Sequence, residues 1–337
     1  MELTSDRVTA ATPVIIAVDG GGTKTQVAVM TKEGHLLSSA TGGVSNAQTV
    51  GADVATANLA DTVDCALAAA AEAGPIRVEH AALYMSGLDL PAETEALAEA
   101  ISGLPWAVPS MVLGNDMQAV LRAGTSEPNA IAVVCGTGNN AIGVREDGTV
   151  ERFLALGSLS GDWGGGWQLG QQGLWHAARS EDGRGEQTVL AETLPAALGF
   201  ANLSALIEAL HFGTLSERTL GDLAPAIVAA AEAGDPVALR IIDRQSKEIA
   251  DFVRALTRRL DLEDQEIPVV LGGGVIAARE PVLMAAIARD VSAVAPKAHI
   301  EFVSHRPIVG AGLLALEQVG AQASALETAA EALEQLD

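Results

Sequence analysis

Val14-Ile15-Ile16-Ala17-Val18-Asp19-Gly20-Gly21-Gly22-Thr23-Lys24-Thr25-Gln26-Val27-Ala28-Val29-Met30 is the stretch on which the fold turns. Five apolar, mostly β-branched residues are interrupted by three glycines flanked by Asp, Thr and Lys, and the apolar run then resumes. The pattern predicts strand, glycine loop, strand. Glu33-Gly34 marks a turn before Leu36 and Leu37, so the chain continues as an antiparallel meander. Helical composition over residues 55–73 stops at Gly74-Pro75, and residues 81–85 and 111–113 read as buried strands around a helix near 92–101. The result is a mixed α/β domain.

The same order returns further along. Ile131-Ala132-Val133-Val134 runs into Cys135-Gly136-Thr137-Gly138-Asn139-Asn140, then Ala141-Ile142-Gly143-Val144, then a turn at Asp147-Gly148. Such a recurrence predicts two homologous half-folds facing each other. Beyond residue 170 the pattern is mainly helical, with a helix over 220–233 closed by Gly234-Asp235-Pro236 and a long amphipathic one over 237–260. A late buried strand over 267–271 enters Gly272-Gly273-Gly274, and residues 311–337 read as one helical segment, acidic and partly frayed at its end. At 337 residues the chain exceeds the usual size of one core, which predicts two domains. Their expected limits are 13–117, completed by a C-terminal helix over 311–330, and 118–310 with a helical insertion.

Composition excludes several functions. The 43 Asp and Glu outnumber the 20 Lys and Arg to give a net charge of −23, which repels nucleic acid and anionic membranes. Cys65 and Cys135, the only cysteines, are too few for a disulfide framework and point to a reducing compartment. The polar start over 1–12 lacks the apolar core of a secretion signal, and no apolar run is long enough to span a bilayer. A cytoplasmic location is expected, with no membrane and no nucleic acid as partner.

Three glycine-rich segments could carry chemistry. Consecutive glycines let backbone N–H groups approach phosphate oxygens, so Gly21, Gly22, Thr23, Lys24 and Thr25 read as a phosphate loop, although a plain hairpin turn is the alternative. The spacing is neither that of the Walker A loop nor that of a dinucleotide fingerprint. Asp19, at a strand end, is the expected anchor for Mg²⁺. Gly136, Thr137, Gly138 and Asn139 form the second loop, which suggests one phosphate chain gripped from two sides. Gly273 and Gly274 either admit a nucleoside or allow tight strand-to-helix packing.

Asp116, in Gly114-Asn115-Asp116-Met117, stands where a strand end meets a helix start. It is either an N-cap or the general base that phosphoryl transfer to an alcohol requires. Gly161-Asp162-Trp163-Gly164-Gly165-Gly166-Trp167, with Trp175 beyond, puts an acid and large rings together. The rings are either core or a platform for the apolar face of a sugar. Asn46 and Ser86 are polar residues in loops, each with an ordinary turn role as the alternative. Cys135 reads as a small buried hydrophobe.

Taken in order, Asp19-Gly-Gly-Gly-Thr-Lys-Thr, Asn115-Asp116, Cys135-Gly-Thr-Gly-Asn-Asn, Gly161-Asp162-Trp-Gly-Gly-Gly and Leu271-Gly-Gly-Gly-Val resemble the N-acetylglucosamine kinase and BadF/BadG/BcrA/BcrD ATPase family. The resemblance runs from about residue 14 to about 316. It implies the two-domain α/β fold of the actin-like ATPase superfamily, a duplicated ribonuclease H-like unit with a nucleotide in an interdomain cleft. It also implies ATP and Mg²⁺ as cofactors, with the two loops on the phosphates and Gly273 and Gly274 on the nucleoside. Asp116 would be the base, and Asn46, Ser86, Asp116, Thr137, Asp162 and Trp163 would contact the sugar. Trp163 occupies the place where the family commonly has a second acid, a variant similar to that expected of actinobacterial glucosamine kinases. The expected reaction is therefore phosphorylation of the 6-hydroxyl of glucosamine to glucosamine 6-phosphate, with N-acetylglucosamine as the alternative acceptor. An iron–sulfur activator ATPase and a nucleotide-dependent sensor are further alternatives. The expected partners are an amino sugar and ATP, with a homodimer as the assembly allowed for.

Overall fold

The structure, a computed structural model, describes residues 10–336; most of the polar start and the final Asp337 lie outside them. The chain divides into two compact units. One comprises the described residues up to Ser126 together with those from Val303 on, and the other is Glu127–Phe302.

In the first unit, β1 (Thr12–Gly20), β2 (Thr25–Met30), β3 (Leu36–Gly42), β4 (Ile76–Met85) and β5 (Val112–Asn115) form one sheet in the order β3-β2-β1-β4-β5. The short connections around Gly21 and Gly34 leave room only for antiparallel pairing of β1 with β2 and of β2 with β3. The helices Ala52–Ala71 and Pro91–Ile101 carry the chain back across the sheet, so β4 and β5 run parallel to β1. Alternation along β1 explains why residues 14–18 are apolar at every position. Val14, Ile16 and Val18 face Leu59, Val63 and Trp106, while Ile15 and Ala17 face Ile308, Val309 and Leu316 on the other side.

The second unit repeats the plan. β6 (Ala130–Cys135), β7 (Asn139–Val144), β8 (Val150–Arg152), β9 (Pro268–Gly272) and β10 (His299–Phe302) stand in the order β8-β7-β6-β9-β10, with the same pattern of parallel and antiparallel neighbours. The duplicated ribonuclease H-like sheet of the actin-like ATPases is thus present in both units. Between β8 and β9 lies the helical insertion, whose core includes Leu169, Leu194, Leu206 and Ile227.

Three local expectations change. Residues 217–223 form a 3₁₀ segment before the helix Ala224–Glu232, because Pro225 favours a fresh helix start. The C-terminal segment is two helices, Pro307–Gln318 and Ala323–Glu334, separated at Gly320 with φ +65°. The second is docked rather than frayed, since Ala329 and Leu333 are fully buried. The first unit also keeps the whole helix Asp116–Gly124 and takes the returning chain from Val303, a wider span than 13–117 with 311–330. The cause is the close approach of the helix Pro307–Gln318, where Gly310 lies against the backbone of Ala119 and Ala123.

Candidate active site

Parallel register sets the acidic edge of the first unit. Asp19 pairs with Tyr84 and Tyr84 with Gly114, so Asp19, Ser86 and the Asn115-Asp116 pair emerge together at the C-terminal ends of β1, β4 and β5. Open α/β sheets gather their functional groups at that edge. The N-cap of the helix Asp116–Gly124 is Asn115, whose Oδ1 accepts from Met117 N at 3.2 Å and whose Nδ2 donates to Asp89 Oδ1 at 3.0 Å. Asp116, as first helical residue, is thereby released from the capping role that the sequence left open. Burial raises its carboxyl to about 7, with Asp19 and Asp89 adding repulsion that outweighs the backbone N–H groups nearby. Burial likewise lifts Asp19 to about 6, against the opposing pull of Lys24 and Arg306.

Beside this edge, Gly21 N donates to Lys24 O at 2.9 Å and closes the first glycine hairpin. Gly22, Thr23 and Lys24 are exposed at its tip. Thr25 is not: it is buried, and its hydroxyl lies 2.6 Å from Gly43 O and 2.7 Å from Ser45 Oγ, so it holds the hairpin rather than a ligand. Asn46 caps the short helix Ala47–Val50 and donates from Nδ2 to Ser86 Oγ at 2.6 Å. The turn roles weighed from sequence are therefore filled, while Ser86 keeps partial exposure next to Gly22.

In the second unit, Gly136 N donates to Gly138 O at 2.9 Å in a hairpin that mirrors the first, and Thr137 and Gly138 are exposed at its tip. Asn139 is buried, its Nδ2 donating to Trp163 O at 3.0 Å. The hairpin and the Asp162–Trp163 segment are thus joined within this unit, with Gly166 N on Gly136 O at 2.8 Å and Trp167 N on Thr137 O at 3.0 Å. A side chain at Gly165 would meet Gly138 Cα at 2.4 Å, and its φ is +82°, so glycine is required there.

A cavity of about 680 Å³ opens beside this hairpin. Gly136, Thr137 and Gly274 line one part, and Ala224, Val228 and Val275 give it apolar walls. That volume and character suit a purine nucleoside with phosphates toward the hairpin. Gly274 is thus placed at the cavity, whereas Gly273 (φ +94°) packs so tightly that a Cβ would lie 2.4 Å from Cys135 C.

The tryptophans form no single cluster. Trp163 lies under the Arg244 guanidinium, 3.9 Å from the ring centroid; Trp167 donates to Glu217 O at 3.2 Å; Trp175 is half exposed beneath Arg179. Asp162, half-buried, takes a short hydrogen bond from Ser160. Cys135 is fully buried with its thiol pushed up to about 12, and Cys65 is exposed on the helix Ala52–Ala71. Cys135, in the sheet interior, is out of reach of an iron–sulfur cluster, which leaves Cys65 as the one exposed thiol.

Sequence reasoning overlooked Gln245, fully buried on the helix Pro236–Arg259, with Nε2 donating to Asn139 Oδ1 at 3.2 Å and Oε1 accepting from Gly165 N at 2.9 Å. A signal existed, since it lies four residues after Ile241 and four before Ile249 on the buried stripe. Asp89 was missed as the partner of Asn115 and as a charge near Asp116, because the Asn115–Asp89 hydrogen bond joins residues 26 apart in sequence.

The BadF/BadG/BcrA/BcrD ATPase family model matches residues 16–315. An N-acetyl-D-glucosamine kinase of Dictyostelium discoideum is 28% identical over 320 residues, covering 90% of this chain and 98% of its own. An N-acetylmuramic acid/N-acetylglucosamine kinase of Clostridium acetobutylicum is 24% identical over 264 residues, covering 78% and 85%. A crystal structure from Chromobacterium violaceum, provisionally called an N-acetylglucosamine kinase, aligns with TM-score 0.66 at 24% identity over 90% of this chain and 98% of that one, a likeness of fold.

Proposed function

We propose an activity for a chain that belongs to the BadF/BadG/BcrA/BcrD ATPase family: it transfers the γ-phosphoryl group of ATP to the 6-hydroxyl of a hexosamine, with N-acetylglucosamine as the acceptor. The observation that carries the reading is Asp116, a carboxyl freed from capping, raised to about 7 and set at the sheet edge beside Asp19. A base with that affinity accepts a hydroxyl proton readily near neutral pH.

The residues fit the implied cofactors. Gly136 and Thr137 would receive the phosphates and the neighbouring cavity the nucleoside. In the first unit, Lys24 and the tip of its hairpin are the proposed source of positive charge and donors. Among the described residues no group of three His, Cys, Asp or Glu side chains could hold a metal by itself, so Mg²⁺ would take Asp19 together with phosphate oxygens and water. When bound, the ion neutralises charge on the phosphoryl group. Asn46 and Ser86 are the sugar contacts proposed for the first unit, and Asp162 and Trp163 those proposed for the second.

Glucosamine, the acceptor expected from Trp163, becomes the second reading. The Arg244 guanidinium over Trp163 puts a cation beside the segment that was to receive an ammonium, which favours the neutral acetamide. The names of the curated relatives agree with that choice. Coupled ADP release should give N-acetylglucosamine a kcat/KM at least about tenfold above glucosamine. The reverse order would restore glucosamine, and ADP release indifferent to every hexose would reject the kinase reading in favour of a nucleotide sensor.

Ala278 is exposed at the cavity rim. Ala278→Trp is expected to raise the KM for ATP by roughly tenfold or more while leaving the sugar KM within about twofold, because it removes volume from the nucleoside cavity alone. An unchanged ATP KM would mean that the nucleoside binds elsewhere.

The base must be ionised to act, so kcat/KM should rise with pH and level off above about 7. Asp19 at about 6 lies close enough to interact, and the limb therefore belongs to the pair. Asp19→Asn should shift it to lower pH by removing a repelling charge, measured on the residual turnover. A limb that stays in place would rule out the coupling.

A further inference from the structure

The turn that carries Asp162 and the hairpin at residues 136–139 are tied by a closed relay of side-chain amides. Gly165 N donates to Gln245 Oε1 at 2.9 Å, Gln245 Nε2 donates to Asn139 Oδ1 at 3.2 Å, and Asn139 Nδ2 donates to Trp163 O at 3.0 Å. Backbone groups fix the direction at both ends: Gly165 N–H can only donate and the Trp163 carbonyl can only accept. Neither amide can flip without setting like against like. Gln245 is fully buried within the helix Pro236–Arg259 and has no path to a ligand. A buried polar side chain satisfied at both ends rigidifies what it joins, and leaving either end unpaired is costly.

The geometry points to Gln245 as a positioning residue that fixes the Asp162–Trp163 segment against the Gly136–Asn139 hairpin, so that sugar contact and phosphate contact stay in one register. The inference rests on the kinase reading for its kinetic consequence only; the lock itself is a property of the fold. Its directionality supplies the test. In Gln245→Glu a protonated carboxyl still donates to Asn139 and accepts from Gly165, whereas an ionised one offers two acceptors where one donor is needed.

The ratio of variant to wild-type kcat/KM for N-acetylglucosamine is therefore expected to fall at least about tenfold between pH 6 and pH 9. Charged or titratable neighbours are Cys135 on β6, Asp162 in the turn, Arg244 and Glu248 on the same helix, and Asp290, which accepts from Ser246. They are common to both proteins, so the ratio isolates position 245. In parallel, Gln245→Met, Asn139→Ala and the double variant are melted. The relay predicts that the double variant loses no more Tm than the worse single. A ratio flat with pH, or Tm losses that add, overturns the lock. If wild-type protein phosphorylates no sugar, the kinase reading fails and the melting comparison alone decides the lock.

Discussion

Asp116→Asn is expected to lower kcat by about 10³-fold while leaving the dissociation constant for ATP within about threefold, since a positioned base contributes roughly 10² to 10⁴. The same substitution should stabilise the protein. An unfolded Asp titrates at 3.8, and in the fold burial and the Asp19 and Asp89 charges raise Asp116 to about 7. Below about pH 3 both states are protonated and the group has no effect. As pH rises toward 7 the unfolded chain releases its proton first, so ionisation costs the folded state stability, and the whole cost is present above pH 7. Partial solvent access limits it to roughly 1 to 2 kcal/mol, still more than the ~0.5 kcal/mol that an acid gains at a helix start. At pH 8 the variant should thus melt about 5 °C higher than wild type, a gain that shrinks as pH falls and is gone by about pH 3. A variant that is inactive and equally stable at pH 8 would show that Asp116 is not held under that strain, and one with ordinary turnover would remove it as the base.

Gly310→Ala should carry the second largest effect, although the residue touches no ligand. A Cβ there would lie 1.9 Å from Ala119 O and 2.8 Å from Ala123 N, both backbone atoms of the helix that begins at Asp116. No side chain can swing aside to admit it. One helix must move off the other, in a layer where Ile308, Val309 and Ala119 are fully buried, at a cost of about 3 kcal/mol. Tm should fall by about 6 to 12 °C. Displacing the start of the helix Asp116–Gly124 by even about 1 Å should lower kcat by ten- to a hundredfold in molecules that remain folded. A Tm within 2 °C of wild type would contradict the packing described for this face.

The two hairpins were legible because strand, glycine turn and strand are local patterns, and β-branched runs broken by Gly leave few other foldings. Their repetition also predicted the repeated strand order, which the two sheets share. By contrast β8 and β10, three and four residues long and at sheet edges, carry no alternation long enough to read. Within the site, exposed tips such as Thr23, Lys24 and Thr137 were legible from the glycines beside them. Thr25 was not, because only the fold brings Gly43 and Ser45 to its hydroxyl. Gln245 falls on the buried stripe by its spacing from Ile241 and Ile249, but its role was not legible, because what it bonds comes from segments 106 and 80 residues away. Asp116 lay between, since its place at a helix start was evident while the choice between cap and base depended on Asn115 taking the cap.

Transfer of the γ-phosphoryl group itself is the most direct measurement. With γ-³²P-labelled ATP, Mg²⁺ and N-acetylglucosamine, label should pass to the sugar one-for-one with ADP formed and, by ¹H–³¹P NMR, sit on the 6-oxygen. Label recovered only as inorganic phosphate, at a rate the sugar does not change, would contradict the account.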